Sequence, residues 1–482
     1  MQKESFCIVK GALLRSKTSP FALQNESFCE PKGLHFPTGC IPYVFTLLYY
    51  IEIQIHSSMN NSLKLALITL AAIPACAMGQ GANHGLGGDD IDIKSLYEMV
   101  TKHEQKSKAV QLYINYGVSC QATHDSRQDE WTSRFSNRYL RLEMIGWLTD
   151  NIYYRFRQRL NKSNEMLSED QFAKATDYMM VGWKFNDHWR IQGGKKCQAL
   201  GSFEFDENPL FIYQYSDIEG NVDSSKGAVN LLYNATPNQQ FSVEVSNTYN
   251  GKLKDEFGEG ARTSDGSIAY NTTEPDKKPD MAVLEKSNTP FAYSVGWNGS
   301  FLDGKLQTRW SYTLRTQAKH KYSRFLRLGQ KLNLSRLQWY IDYNMTYDDL
   351  DRMKIVSGEV ADALVANDNA SPDNTSPVYA GKVRYQGLVT KMNWMFAPDW
   401  NIMLKGMYET ASMTKSEQFR NYRTALGYVG SIEYYPARKQ QQNLRVFLAY
   451  IGRKYNYSKR SQIADYNTNR IELGMLYRMK LL

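Results

Sequence analysis

Apolar and polar residues alternate with a period of two over most of the chain beyond residue 109. The pattern is sharpest at 151–160, where Arg155, Arg157 and Arg159 fall at every second position and mostly apolar residues fall between them. Because successive side chains of a β-strand point to opposite faces, this stretch predicts a strand with arginines on one face and apolar groups on the other. A soluble sandwich would bury the apolar face. A membrane barrel would turn it towards lipid and turn the arginines into a water-filled lumen.

Segments with this alternation recur to the C-terminus and predict about 16 strands. At 337–347, for example, Trp339 and Ile341 alternate with Gln338 and Asp342. The predicted bounds are 110–118, 136–148, 151–160, 177–185, 189–196, 227–234, 241–249, 291–301, 305–317, 321–331, 337–347, 382–396, 401–411, 423–435, 444–455 and 465–482.

The links between these strands are of two kinds, which alternate along the chain. Links after even-numbered strands are short and lie at 149–150, 186–188, 235–239, 302–304, 331–336, 397–400 and 436–442. Links after odd-numbered strands are mostly longer and lie at 119–135, 162–176, 197–224, 250–289, 348–381 and 456–464, with short exceptions near 319 and 415. Short periplasmic turns that alternate with long external loops are typical of outer-membrane barrels, whereas a soluble sandwich has no reason to sort its loops in this way.

Tryptophans support the same interpretation, because most lie within a few residues of a short turn, where an interfacial girdle is expected. They are Trp147, Trp183, Trp189, Trp297, Trp394 and Trp400. An even strand count also brings the last strand beside the first, which closes the sheet edge. The predicted fold class is therefore all-β: a transmembrane antiparallel barrel over residues 109–482.

The N-terminal region carries a different pattern. Residues 59–79 read as a secretory signal peptide with an internal start: a weakly basic beginning, an apolar centre and small residues at the cleavage site. Residues 1–58 are then an upstream over-extension of the reading frame or a disordered extension, and lipidation at Cys76 is a minor alternative. Residues 80–108 are expected to form a periplasmic segment with a short helix within 89–104, where apolar residues recur at helical spacing.

Composition adds two constraints. Aromatic residues make up 13% of the 482 residues, and a membrane barrel needs many rings for its girdles. The formal net charge of +9 is compatible with nucleic acid, anionic lipid or an anionic solute as partner. Beyond residue 80 only Cys120 and Cys197 remain, which either form a bridge in an oxidising periplasm or stay as two unpaired thiols.

Two stretches carry a resemblance to a known family. Residues 193–217 read GGKKCQALGSFEFDENPLFIYQYSD and residues 153–162 read YYRFRQRLNK. Together with the loop pattern, they resemble the phosphate-selective porin O and P family of Gram-negative bacteria over roughly residues 109–482. The resemblance implies a homotrimer of 16-stranded barrels, an inward-folded loop at the constriction, and arginines and lysines along an anion path. The positions in this chain that fit the path are Arg155, Arg157, Arg159 and Lys196.

The link 197–224 is the natural candidate to narrow the pore. Its rings would pin it to the wall and its acids could pair with wall arginines; these residues are Phe203, Phe205, Phe211, Tyr213 and Tyr215, and Glu204, Asp206 and Glu207. Several cations alternate with the apolar positions of their strands and are therefore expected on the lumen face. They are Arg141, Arg155, Arg157, Arg159, Lys196, Arg309, Arg315 and Arg327. Arginine suits phosphate because its planar fork donates two bonds at once, and rings of cations give anion selectivity.

Several alternatives stay open at this point. The arginines could merely pair with loop acids and bracket a fixed loop, and lumen acids such as Glu143, Glu244, Asp342 and Glu472 could cancel their charge. The acids at 204–209 could hold a divalent cation, although we predict no metal and no cofactor. We expect outer-membrane lipid and small anions such as phosphate as partners, no nucleic acid and no catalysis. A barrel-anchored adhesin with binding loops at 250–289 and 348–381 is the main alternative. An outer-membrane hydrolase ranks below it because no catalytic motif has the required context.

Overall fold

The computed structural model describes residues 94–102, 109–167, 169–263, 282–368 and 378–482. Sixteen antiparallel strands form a closed barrel and follow one another around it in chain order, with the last strand paired to the first. They are β1 Gln111–Asp125, β2 Glu130–Trp147, β3 Ile152–Arg159, β4 Thr176–Lys184, β5 Trp189–Cys197, β6 Ser225–Thr236, β7 Gln239–Asn247, β10 Phe291–Phe301, β11 Leu306–Ala318, β12 Lys321–Asn333, β13 Leu337–Leu350, β15 Gly381–Ala397, β16 Trp400–Met413, β17 Arg423–Tyr434, β18 Asn443–Tyr457 and β19 Tyr466–Lys480. The predicted fold class is confirmed.

The remaining elements lie in the links. Three short strands form a separate sheet in the order β14–β8–β9: β8 Arg262–Thr263, β9 Ala282–Val283 and β14 Val378–Tyr379. The helices are Leu96–Thr101, Phe203–Asp206, Asp217–Gly220, Leu253–Phe257 and Ile355–Asp368, and the 3₁₀ turns are Pro209–Phe211, Arg438–Gln440 and Lys459–Ser461. Among the described residues, no helix is both long enough and apolar enough to span a membrane.

The alternation of side chains is inverted relative to a soluble protein. In β7, Val243 is 55% exposed and Glu244 is 1% exposed, and Val245 is exposed again. Apolar side chains therefore cover the outside of the barrel, while charged side chains fill the inside. This is the arrangement that a barrel in lipid requires, because its outer face meets hydrocarbon and its inner face meets water.

The four longest links all lie at one end of the barrel, which also carries the short links 126–129 and 319–320. At the opposite end, called here the short-turn end, the links lie at 148–151, 185–188, 237–238, 302–305, 334–336, 398–399 and 435–442. At the other end, the long-loop end, they lie at 126–129, 160–175, 198–224, 248–290, 319–320, 351–380, 414–422 and 458–465. The predicted tryptophans pair with other rings beside the short turns, as Trp147 does with Tyr153 at 5.0 Å and Trp400 with Tyr434 at 4.7 Å between ring centroids.

The predicted long loop at 119–135 is wrong. Strand β1 continues to Asp125, β2 begins at Glu130, and beyond a register shift at Gly117/Val118 the strands stay paired, with Cys120 opposite Phe135. Both faces of this hairpin tip carry polar residues, so the period-two pattern fades although the hydrogen-bonded ladder continues. Of the two alternatives for Cys120 and Cys197, the structure shows two free thiols.

The helix Leu96–Thr101 lies at the short-turn end. Its start is a capping box in which the Ser95 side chain accepts from the Glu98 N–H and the Glu98 carboxylate accepts from the Ser95 N–H. The Lys94 N–H donates to the Gln441 carbonyl at 3.1 Å, and the Tyr97 N–H donates to the Leu481 carbonyl at 3.2 Å. The predicted signal peptide, residues 1–58 and the flanks of the predicted helix at 89–93 and 103–104 lie outside the described residues.

The outward orientation predicts a clear response to charge. Leu473 lies midway along β19 and is 57% exposed on the outer face. Leu473→Arg should lower the free energy of unfolding from lipid bilayers by about 2–4 kcal/mol, because an arginine near the bilayer midplane loses its hydration. Asn467→Arg, near the rim on the same strand, is the matched control and should change stability by no more than about 1 kcal/mol. Equal effects in urea titrations of the refolded variants would contradict a lipid-facing belt.

Candidate functional site

The link 198–224 folds into the barrel as a compact segment, called here the constriction loop. Each of its short helical turns starts at a side chain that caps a backbone N–H: Ser202 accepts from Phe205, Asn208 from Leu210, and Ser216 from Glu219. Such local side-chain caps allow a sequence with little regular structure to adopt one conformation.

The entry to the loop depends on a close approach to the wall. Gly201 has φ 59, in the left-handed region that glycine adopts without steric cost. An added Cβ at Gly201 would lie 3.1 Å from the Ser311 side chain on β11. The Ser311 hydroxyl donates to the Leu200 carbonyl, which fixes the loop against β11 at this point.

Apolar side chains hold the middle of the loop against the far wall. Phe203 stacks on Tyr340 of β13 at 6.0 Å, and Tyr213 packs on Phe447 of β18 at 4.7 Å between ring centroids. The loop members of the buried cluster are Phe203, Leu210, Phe211 and Tyr213. Two predicted anchors, Phe205 and Tyr215, are only half-buried, and Phe205 lies 5.1 Å from the guanidinium of Arg327.

The loop acids pair with cations on the wall. Glu204 is fully buried, accepts from Lys405 at 2.6 Å and accepts from the Ser216 N–H at 2.8 Å. The further pairs are Asp206 with Arg309, Glu207 with Lys391, Asp217 with Arg423 and Arg453, and Glu219 with Arg327. The acids at 204–209 are thus engaged by wall cations in this structure, and the predicted pairing of loop acids with wall arginines describes Asp206.

Asp342 has a role that the sequence did not indicate. Its carboxylate lies on the inner face of β13 and accepts from the Phe203 N–H at 3.1 Å and the Glu204 N–H at 2.8 Å. It therefore caps the first helical turn of the constriction loop from the wall. The sequence analysis treated Asp342 only as a charge that could cancel lumen arginines.

The loop leaves an opening on one side of the lumen. A cavity of about 410 Å³ lies between the loop and the wall formed by β3–β7 and β10–β11; it is called here the eyelet. The wall supplies Arg155, Arg157, Lys196 and Arg309, and the loop supplies the acids Asp206 and Glu207. Positive charge therefore faces negative charge across the opening.

Two arginines of the eyelet wall, Arg155 and Arg157, belong to a cluster in which arginines outnumber carboxylates. Glu143 and Asp177 are the two carboxylates of this cluster, and they pair with five arginines. The contacts are Arg155 to Glu143 at 2.6 Å, Arg478 to Glu143 at 2.8 Å, Arg159 to Asp177 at 2.7 Å, Arg157 to Asp177 at 3.2 Å and Arg141 to Asp177 at 3.5 Å. The cluster of these seven residues thus keeps an excess of positive charge.

The other predicted cations divide between the eyelet and the far side of the loop. Lys196 pairs with Glu244, and Arg309 pairs with Asp206 at the edge of the eyelet. Arg315 and Arg327 lie away from the opening, beneath the two ends of the loop: Arg315 donates to Gln198 at 2.7 Å and Arg327 pairs with Glu219 at 3.0 Å. The structure therefore does not bring all eight predicted lumen cations to one path.

A second cavity of about 540 Å³ lies towards the long-loop end and shares the same strands. Arg159 lines it, whereas Arg155 and Arg157 line the eyelet, so the arginines of β3 lead from one cavity into the other. Lys162 also lines it, and burial together with the charge of Arg159 lowers the pKa of Lys162. Acids share this cavity, among them Glu165, Asp177, Asp223, Asp255 and Glu256.

Sequence reasoning missed most of the wall cations that hold the loop. Four pair with loop acids, namely Lys391, Lys405, Arg423 and Arg453, and Arg445 lies over the Phe211 ring of the loop; all five are on β15–β18. Parity could have found them, because each falls on the same face as buried residues of its strand. On β16 the inner face also carries Met403 and Met407, which fill the space under the loop and hide the polar face of the strand.

The chain is similar to one family model and to several solved structures. A family model described as "Phosphate-selective porin O and P" matches residues 110–479. The outer-membrane channel DcaP of Acinetobacter baumannii is 9% identical, with a TM-score of 0.49 and coverage of 78% of this chain and 99% of that chain. An anion-selective porin from Comamonas acidovorans is 7% identical, with a TM-score of 0.47 and coverage of 77% and 99%. No curated protein sequence matches this chain significantly.

The loop anchoring can be tested at Glu204. Glu204→Gln removes the charge that pairs with buried Lys405. It should lower the free energy of unfolding by about 3–5 kcal/mol, because the charge of Lys405 then stays buried without a partner. We expect a loosened loop, seen as faster proteolytic cleavage within 198–224 and larger fluctuations of single-channel current. Asp187→Asn, which removes an exposed pair with Lys184 at the short-turn end, should change neither measurement. A cleavage rate equal to that of the parent would contradict this anchoring role.

Proposed function

The chain belongs to the phosphate-selective porin O and P family and is an outer-membrane channel, and we propose that it passes small hydrophilic solutes by diffusion with a preference for anions. The observation that carries the proposal is the charge imbalance at the eyelet. Arg141, Arg155, Arg157, Arg159 and Arg478 share the carboxylates of Glu143 and Asp177. The arginines of this cluster exceed its carboxylates by three, and this excess of positive charge supports an attraction for anions.

The physical basis is a positive potential in a narrow space with low-dielectric walls. Field lines are focused in such a space, which raises the local concentration of anions. The guanidinium groups of Arg155 and Arg157 border the eyelet, and each can offer planar pairs of N–H donors to a phosphate or carboxylate. Their existing bonds to acids keep any solute contact weak, and weak contact allows the solute to leave again.

The loop acids make the charge distribution across the opening asymmetric. Asp206 and Glu207 lie on the loop side and the cations lie on the wall side. An anion would therefore pass along β3, from Arg159 in the second cavity to Arg157 and then Arg155 in the eyelet. Phosphate fits this row because its oxygens can move between neighbouring guanidinium groups.

The same proposal covers the surroundings of the barrel. The long-loop end faces outside and the short-turn end faces the periplasm, as the lengths of the links favour. Residues 59–79 direct export and are cleaved, the barrel functions as a homotrimer in outer-membrane lipid, and the chain catalyses no reaction. An adhesin role remains the alternative; the cavity of about 410 Å³ between the loop and the wall favours a channel.

Ion selectivity tests the proposal directly. The purified protein in a planar bilayer under a KCl gradient should give a reversal potential on the anion-selective side. Replacing Arg155, Arg157 and Arg159 with Gln should move that potential towards cation selectivity, because the acids of the eyelet would then dominate. The control replaces the exposed Lys415 and Arg420 with Gln in the link 414–422 and should leave the potential unchanged. Cation preference in the parent would refute anion selection, and absence of conductance would favour the adhesin.

Cys197 provides an internal reporter of the potential, because its thiol lines the eyelet beside Lys196. In a variant whose five other cysteines are replaced by Ser, a sulfonate-bearing methanethiosulfonate should react about 3- to 10-fold faster than a trimethylammonium one, after normalisation to their rates with a small free thiol. Adding Arg155→Gln and Arg157→Gln should bring the ratio close to that of the free thiol. A ratio that these changes leave unaltered would show that the two arginines do not set the potential.

A further inference from the structure

Arg315 and Arg352 differ from every other buried cation in the described part of the chain. They are 2% and 7% exposed, yet neither has a carboxylate within salt-bridge distance. The other buried cations all have one; they are Arg141, Arg157, Lys195, Lys196, Lys226, Arg327, Lys391, Lys405, Arg423, Arg445, Arg453 and Arg478. Since an unpaired buried charge is strongly unfavourable, the two exceptions need an explanation.

The two exceptions lie at one place. The guanidinium carbon of Arg315 is 5.2 Å and that of Arg352 is 4.6 Å from the centre of the Phe325 ring. Arg327 joins them, with its guanidinium carbon 5.7 Å from the same ring. Three guanidinium groups therefore surround one buried phenylalanine on the inner face of β12.

Many donors in this cluster have no partner. The unbonded guanidinium nitrogens are Nε of Arg315, Nε and Nη1 of Arg327, and Nε and Nη2 of Arg352. On β13, Asn344 lies opposite Arg327 and Thr346 lies opposite Phe325, and their side-chain polar atoms are also unbonded. A ligand with several acceptor oxygens would meet donors from three strands or links at once.

Several acids lie near the cluster, but most of them are engaged by other groups. Glu219 pairs with Arg327, and burial raises the pKa of Glu219, so its carboxyl ionises less readily than an exposed one. Asp348 accepts from the Ser323 hydroxyl through one oxygen, and its other oxygen is unbonded. Further acids are already engaged: Asp223 with Lys226, Asp342 with the loop N–H groups and Asp351 with Tyr385 and Ser357.

We propose that Arg315, Arg352 and Arg327 bind a small inorganic oxyanion of the phosphate or sulfate class, at a site beneath the constriction loop and separate from the eyelet. The occupant would supply the acceptors that the five unbonded guanidinium nitrogens lack. The eyelet cavity is bordered by Arg155, Arg157, Lys196 and Arg309, and none of the three arginines of this site lines it.

The arginines of this site also contact the two ends of the constriction loop. Arg315 donates to Gln198 at the start of the loop, at 2.7 Å. Arg352 donates to the Asn221 carbonyl near its end, at 3.4 Å, and Arg327 holds Glu219. A bound oxyanion would therefore fix both ends of the constriction loop through the arginines that contact them, and would stay in place while solutes pass through the eyelet.

Crystals of the full-length protein grown or soaked with sodium selenate, an anomalous analogue of sulfate, provide the first test. We expect an anomalous peak between Arg315 and Arg352 that persists in Arg155→Gln/Arg157→Gln and disappears in Arg315→Gln/Arg352→Gln. Folding of each variant is checked by its heat-dependent shift in gel mobility, and Arg315→Lys/Arg352→Lys replaces the double Gln variant if that one does not fold. No peak in the parent, or a peak that survives the loss of both arginines, would refute the site.

Solution titration separates a real site from an ion bound at crystal concentration only. Calorimetric titration of the folded barrel with sulfate at constant ionic strength should show one saturable site that Arg315→Gln/Arg352→Gln abolishes. Asp348→Asn should tighten sulfate binding several-fold, because it removes the competing negative charge. No saturable binding in solution, or weaker binding in Asp348→Asn, would contradict the proposal and indicate that Asp348 satisfies the arginines. The reversal potential is measured separately, so a failure here does not decide the selectivity of the eyelet.

Discussion

The pore depends on ion pairs that are removed from water between the constriction loop and the barrel wall. Taking two charges out of water costs several kcal/mol for each ion, and their attraction offsets this only when geometry and further hydrogen bonds are good. Glu204 meets these conditions, because Lys405 and the N–H and hydroxyl of Ser216 surround its carboxylate. Asp217 meets them with two guanidinium groups, those of Arg423 and Arg453.

The strands that supply these cations are far apart in sequence from the loop, so the closed barrel has to form before the loop can settle. Isolated strands would have no partner for their backbone groups in lipid, and the barrel solves this by pairing β1 with β19. The inner face that results is a fixed array of charges. The path of the constriction loop then determines which of these cations pair with loop acids and which face the opening.

The sequence predicts the barrel well because lipid imposes a simple rule on every strand. One residue in two must be apolar on the outside, and this rule is visible at Val243, Glu244 and Val245 without any knowledge of partners. The tip of the β1–β2 hairpin escaped prediction for the same reason. At Cys120 and Phe135 the strands rise beyond the region where the alternation is strict, so the pattern ends before the ladder does.

The site is less predictable, because alternation along a strand shows which face of the sheet a side chain is on but not which residues it will contact. Arg155 and Arg315 both belong to the inner face, as the sequence indicates, yet one borders the opening and the other lies beneath the loop. The difference arises from the path of residues 198–224, which is set by local caps such as Ser202 and Ser216 and by a carboxylate on a distant strand, Asp342. No periodic pattern records that a loop N–H will meet a wall carboxylate.

These placements divide the inner wall into two surfaces with different physical roles. Behind the loop, on β15–β18, cations and loop acids pair closely and exclude water, which gives rigidity. On the other side of the loop, Arg141 of β2, three arginines of β3 and Arg478 of β19 share two carboxylates, so positive charge is in excess there. In the proposed anion path the loop has to stay fixed, because a loop acid that moved across the opening would pair with the arginines of β3 and close the path. Rigid pairing on one surface is therefore the condition for incomplete pairing on the other.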